Sequence, residues 1–339
     1  MGSLCSNEGE VEVGHTELKK KKTKPSFKPE MVEQDELYSE FSGSDWEDSD
    51  FGDVDTKPSF HRRGYKKNMF KQDVYEWIED NLESKEALKR FKKLGPFMIK
   101  TRDNGAKRNN FGYKAQKQLD YFGEIQGSKR SGRGVFIRNG TDLYEGFLKN
   151  NKPDGRGRLI YNNGDIYQGD FENGNYCGYG KKVSKKYFRQ GEFNEGKLNG
   201  NALEISKISP KDKYYGEFSN DKKHGTGEMY FENGDVYKGG FKNNKFHGQG
   251  TMNFKNGDTY TGNFERGMRH GYGRYSFKSG KLYAGNFKDN MFHGEGTLTK
   301  KDGNTYEGMF RNGKKHGQGY HIDRKNNKTK VKYVDGEQV

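Results

Sequence analysis

The stretch YKGGFKNNKFHGQGTMNFKNG, residues 237–257, holds two short alternating runs separated by polar, glycine-containing sequence, the written form of a β-hairpin. Period two on a strand puts Tyr237, Gly239 and Phe241 on one face of the first run. It puts Gly248, Gly250, Met252 and Phe254 on one face of the second. Bulky rings then lie over glycines of the neighbouring strand, so the glycines make room for aromatics as well as weakening the strands.

The same phrase extends in both directions. Tyrosine recurs at Tyr121, Tyr144, Tyr167, Tyr214, Tyr237, Tyr260, Tyr283 and Tyr306, mostly 23 residues apart. A fixed period of that length marks an array of small repeated modules. The full phrase reads Y-x-G-x-F, a polar turn, H-G-x-G, two alternating apolar positions, then N-G, with His247, Asn256 and Gly257 completing the quoted copy.

These residues resemble the MORN-repeat family, whose repeats run Y-x-G-x-W/F followed by H-G-x-G. Counting an irregular copy around Arg189, about nine repeats run from Tyr121 to Tyr320, some 60% of the chain. The resemblance implies a mainly β fold, an elongated, twisted, single-layer antiparallel sheet of successive hairpins. Eighteen strands at about 4.8 Å per step would extend on the order of 85 Å. The division expected is a tail at 1–60, a helical capping segment and linker at 61–120, and the array at 121–339.

Two departures stand out. In the fourth repeat Arg189 replaces the tyrosine, Ala202 replaces the second glycine, and 25 residues with Pro210 among them separate Arg189 from Tyr214. Because strand pairing tolerates proline poorly, a bend or a locally weak step is expected there. The histidine position is filled by Ser131, Asp154, Cys177 and Asn199 in the early copies.

Mean hydropathy is −1.25 and hydrophobic content 29%, values that alone would suggest disorder. Aromatics nevertheless reach 14%, and most occupy the repeat anchors. A one-layer sheet has little interior, so each repeat depends on its neighbours for burial. The 48 glycines do not fall every third residue, which rules out collagen. The chain has no run of 18 apolar residues, and its first twenty residues lack a signal-peptide core. Cys5 and Cys177, the two cysteines, suit a reducing compartment. A cytoplasmic protein is expected, at the cell cortex or a peripheral membrane, with the cilium as the alternative.

Charge is divided unevenly: residues 1–60 carry 7 basic and 15 acidic side chains, residues 61–120 carry 16 and 8, and the rest carries 39 and 25. A basic array attracts acidic surfaces such as lipid headgroups, although a solvated exterior explains the same charge. Met1-Gly2-Ser3-Leu4-Cys5-Ser6 fits the pattern for myristoylation of Gly2, with Cys5 placed for palmitoylation. One acyl chain holds a membrane only marginally, and Lys19, Lys20, Lys21, Lys22 and Lys24 supply a basic cluster beside it. The acidic stretch from Glu30 to Asp55, with Ser42, Ser44 and Ser49, reads as a tether open to phosphorylation.

Residues 70–94 read as helix, with Val74, Trp77, Ile78, Leu82, Leu88 and Phe91 on one stripe and Gly95-Pro96 as a stop. Its expected role is to cover the first hairpin's open edge, with partner binding or dimerisation as the alternative.

No catalytic, cofactor or metal site is expected. H-G-x-G lies within a hairpin and not between strand and helix, so it is no phosphate loop. His224, His247, His270, His293 and His316 fall two strands apart, about 9.6 Å, whereas zinc ligands converge to about 2 Å from one ion. The aromatic face is expected to hold a binding groove lined by Tyr214, Phe218, Tyr237, Phe241, Tyr260, Phe264, Tyr283, Phe287, Tyr306 and Phe310, with packing the first explanation of the same rings. The resemblance implies a non-enzymatic scaffold for cytoskeletal or membrane partners, including acidic lipids, with dimerisation through array ends. The alternatives are a radial-spoke-like axonemal subunit without a membrane anchor and a recruiter of a phosphoinositide kinase. Nucleic acid is not an expected partner.

Overall fold

The computed structural model describes residues 78, 79, 81–94, 110–116 and 119–339. Gly2, Cys5, the Lys19–Lys24 cluster, the acidic stretch, Val74 and Trp77 lie outside them. The described residues are mainly β, as expected, and form two compact units: those up to Ser184 with Asn194–Gly196, and Lys185–Phe193 with Lys197–Val339.

The first unit contains helix α1 (Lys85–Leu94) and strands β1 (Asn110–Gln116), β2 (Leu119–Gln126), β3 (Lys129–Arg138), β4 (Asp142–Lys149), β5 (Lys152–Ile160), β6 (Ile166–Glu172) and β7 (Asn175–Val183). Successive strands pair antiparallel from β1 to β7. The second unit contains β8 (Tyr187–Asn194), β9 (Lys197–Ser206), β10 (Lys213–Ser219), β11 (Lys222–Tyr230), β12 (Val236–Lys242), β13 (Lys245–Asn253), β14 (Thr259–Glu265), β15 (Met268–Ser276), β16 (Leu282–Lys288), β17 (Met291–Thr299), β18 (Thr305–Arg311), β19 (Lys314–Ile322), β20 (Lys328–Val334) and β21 (Glu337–Gln338). From β9 onward each pairs antiparallel with the next.

The repeat explains itself at atomic scale in β12 and β13. Gly239 pairs with Gly250 and Phe241 with Phe246, so a bulge containing Gly248 interrupts the ladder. Gly248 has φ 71°, a left-handed conformation that glycine adopts without penalty. Gly250 is there for a different reason: an added Cβ would stand 2.4 Å from the Tyr237 hydroxyl. That hydroxyl donates to the Gly240 carbonyl at 2.9 Å. The ring therefore lies over the glycine pair while its polar tip satisfies the backbone opposite the bulge.

Two findings bear on the sequence reading. The β9–β10 ladder runs through consecutive pairs from Lys213↔Ile205 to Phe218↔Gly200, so the bend or weak step expected in the fourth repeat does not fall in that ladder, whereas the boundary between the two units does fall within the repeat, around Phe193–Lys197. The extra residues and Pro210 stay in the connecting loop, which the Ser206 amide closes on the Asp212 carbonyl at 2.8 Å. Secondly, the helical stretch is interrupted at residues 82–84. Ser84 caps α1, its Oγ accepting from the Ala87 amide at 3.2 Å. Nor does α1 cover the first hairpin's edge, because β1 pairs along β2 there. Instead the Glu83 amide donates to the Gly140 carbonyl, and Ser84 Oγ donates to the Asn162 carbonyl at 2.8 Å. The chain's early segment is thus pinned to the turns after β3 and β5.

Candidate functional site

Each strand presents two faces, and only one carries the periodic rings. In the second unit Phe241 meets its own Tyr237 edge-on at 5.2 Å and the preceding Tyr214 at 4.8 Å. Phe264 repeats this with Tyr260 and Tyr237, and Phe287 with Tyr283 and Tyr260. Each edge-to-face pair contributes roughly 0.5–1.5 kcal/mol beyond area burial. A second layer alternates along the sheet. Phe246 and Phe292 stack on Tyr237 and Tyr283 at 3.9 and 3.8 Å, whereas Lys223, Arg269 and Lys315 set a cation over Tyr214, Tyr260 and Tyr306.

The ten aromatic positions expected to line a groove are brought together, but all are 5% exposed or less. Their surfaces are spent on one another. Burial pushes the Tyr260 hydroxyl up to about 12 and raises Tyr237 and Tyr283 likewise.

The open groove of the second unit lies on the other face. It encloses about 600 Å³ across β15–β20 and is lined by Tyr272, Asn286, Glu295, Thr297, Glu307, Met309, Gln318, Tyr320, Lys328 and Lys330 among others. Tyr272 is 63% exposed, Met309 41% and Tyr320 43%. Lys328 pairs with Glu307 at 3.6 Å and lies over the Tyr320 ring. Sequence reasoning missed this face because its residues fall at the variable positions of the phrase.

The corresponding face of the first unit is closed. Leu143, Ile160 and Ile166 there are fully buried, α1 lies against β5, and Arg158 and Glu145 form a buried ion pair between β5 and β4. The same strand architecture thus presents a covered face in one unit and an open one in the other.

Both turn edges lock repeat to repeat. The Asn244 amide donates to the Lys223 carbonyl, and Asn244 Oδ1 accepts from the Lys223 amide at 2.8 Å. At the opposite edge Asp258 Oδ1 accepts from the Lys278 amide at 2.9 Å. That bond, chiefly, holds the Asp258 carboxyl below the usual carboxylate range. Two of the repeat histidines stand beside turn acids, His316 Nδ1 at 3.3 Å from Asp335 and His270 Nδ1 at 4.0 Å from Asp289. Among the described residues no group of three His, Cys, Asp or Glu side chains is placed to hold a metal. In the fourth repeat Arg189 reaches Glu204 at 2.7 Å and Asp221 at 3.3 Å.

Comparison with known proteins agrees with this repeat geometry. The model of the MORN repeat matches residues 121–141, 144–166, 167–187, 190–206, 214–236, 237–259, 260–281, 283–305 and 306–327, more than half of the chain. The chain belongs to the MORN-repeat family. MORN repeats form a non-catalytic scaffold that mediates protein or membrane interactions. No curated protein matches the chain. Among solved structures it is similar to the TCP domain of Drosophila melanogaster SAS-4 (dCPAP) in complex with a proline-rich motif of Ana2, at 17% identity over 52% of this chain and 84% of that one, TM-score 0.28. It is also similar to the Danio rerio CPAP TCP10 domain with a STIL peptide, at 8% identity over 66% and 100%, TM-score 0.33. Likenesses this low carry no argument about function.

Proposed function

We propose that this MORN-repeat chain is a non-enzymatic scaffold that holds partner proteins on the open face of its second unit. Acylation at Gly2 and Cys5, assisted by Lys19–Lys22 and Lys24, tethers it to a cytosolic membrane face. The observation that carries the docking reading is the exposure of Tyr272, Met309 and Tyr320 in one groove, since large apolar side chains held open beside polar ones mark interaction surfaces. The partner class is cytoskeletal or membrane-associated protein. The terminal Gly-Ser-Leu-Cys-Ser pattern and adjoining lysines support the tether.

The test is mild affinity purification of wild type beside Tyr272→Ser/Met309→Ser/Tyr320→Ser, with membrane flotation of Gly2→Ala in parallel. Loss of a discrete set of partners from the triple variant, and of flotation from Gly2→Ala, is expected. An unchanged partner set contradicts the docking face. Retention of an unmodified chain in a detergent-resistant axonemal fraction favours the ciliary alternative.

A further inference from the structure

The chain's acidic stretch has a chemical complement on the open face of the second unit. Residues 30–55 carry 11 carboxylates and no basic side chain, and Tyr38, Phe41, Trp46 and Phe51 stand among them. They lie outside the described residues.

On the open face Arg274 follows Tyr272 by two residues along β15 and therefore shares its side of the sheet. Lys330 pairs with Tyr320 and Lys332 with Gln318 across β19 and β20. All three cations are exposed, and among the described residues none of them forms an ion pair. Of the carboxylates lining the groove, Glu307 is engaged by Lys328 and Glu295 is not ion-paired. Three open cations thus face one open carboxylate beside the exposed Tyr272, Met309 and Tyr320.

The dimensions agree as well. Tyr272 in β15 and Tyr320 in β19 stand four strand steps apart, about 19 Å at about 4.8 Å per step. An extended chain rises about 3.4 Å per residue, so roughly six residues bridge the two rings. Residues 41–53 exceed that length and place three aromatic rings and five carboxylates within it.

We propose that residues 41–53 of this chain are an internal ligand of the groove, holding it until a partner displaces them. The proposal rests on the docking reading of that groove and adds its regulation. Asp45, Glu47, Asp48, Asp50 and Asp53 meet the open cations, which gives the segment its preference for this face over a neutral one. Phe41, Trp46 and Phe51 cover the exposed Tyr272, Met309 and Tyr320, removing apolar surface from water. Because the segment is tethered to its site, it competes at a high effective concentration although its own affinity is modest. A partner that takes the groove must use the same cations and rings.

The experiment uses the full chain carrying Gly2→Ala, so that acylation plays no part, in about 0.15 M salt to screen diffuse attraction. A benzophenone-bearing phenylalanine at Tyr320, or at Lys242 as control, is illuminated in the purified chain and its adducts are mapped by mass spectrometry. Adducts within residues 38–55 from Tyr320, and none from Lys242, are expected. In parallel, a fluorescein-labelled peptide of residues 38–55 is titrated by anisotropy. Removing the internal ligand with Trp46→Ser/Phe51→Ser is expected to tighten peptide binding at least about tenfold, as for a site less than about a tenth open. Adding Lys330→Gln/Lys332→Gln to that variant weakens the peptide again, whereas adding Lys242→Gln/Lys245→Gln, which removes equal charge elsewhere, does not. These four lysines are exposed, so the changes spare the buried rings. Equal peptide affinity in the parent chain and in Trp46→Ser/Phe51→Ser, or equal weakening by the two lysine pairs, overturns occupancy by the segment. Segment adducts absent from the purified chain while partner adducts form at the groove in cells would leave a docking surface without an internal ligand.

Discussion

At the scale of single residues, the two glycines of H-G-x-G are needed for separate reasons, and the chain itself contains the control. Where Arg189 replaces the tyrosine, Ala202 stands at the second glycine position, because no ring occupies that space. Gly250→Ala is therefore expected to lose roughly 1–3 kcal/mol by overpacking against Tyr237, and less in a Tyr237→Leu background. Denaturant unfolding of the single and double variants measures this, and strict additivity would contradict it. The buried tyrosines also fix a pH limit. Their folded pKa values lie above the unfolded value near 10, so above pH 10 the unfolded chain releases protons that the folded chain keeps. Stability contributed by these rings is complete below pH 10 and falls as pH rises toward about 12, the value at Tyr260. Tyrosinate absorbance and far-ultraviolet dichroism, followed together, should change in one transition; free titration near pH 10 with the sheet intact would contradict it.

At the scale of elements, the hairpin turn is the lock between repeats. Asn243 and Asn244 both have positive φ, 51° and 68°, as two-residue hairpin turns require. Asn244→Ala removes the cap on Lys223 and strains the turn, whereas Asn244→Gly removes the cap alone. The alanine variant is expected to lose roughly 1–2 kcal/mol more than the glycine variant in thermal unfolding, and equal losses would show that the backbone conformation is not limiting. Ser84→Ala should cost about 1 kcal/mol through the lost cap of α1. Increased hydrogen exchange at residues 85–88 reads that loss directly. The hairpins were legible because ring and glycine must alternate for the sheet to pack, a constraint every repeat but the fourth obeys. The break before α1 was less so: Ile78, Leu82, Leu88 and Phe91 keep a helical spacing across it, and only Ser84 marks the new start. Strand β1 lacks the full phrase, so its role as edge cover could be read only from its pairing with β2.

For the molecule as a whole, one repeat serves two ends. Its periodic face is used up in holding each unit together, and its variable face is covered in the first unit and open in the second. Sequence periodicity reports the invariant face and therefore pointed to Tyr237, Phe241, Tyr260 and Phe264, which no partner reaches in the folded state. Tyr272, Met309 and Tyr320 carry no such signal, since the matching places in other repeats hold Gln249, Gly240 and Thr251. Function in a scaffold of this kind resides where the repeats differ. The decisive measurement is photo-cross-linking in intact cells, with a benzophenone-bearing phenylalanine placed at Tyr272 or Tyr320 and, as control, at Lys242. Discrete protein adducts from both groove positions and none from the control are expected. Adducts absent from the groove, or formed equally at Lys242, would contradict the assignment of the open face as the docking surface.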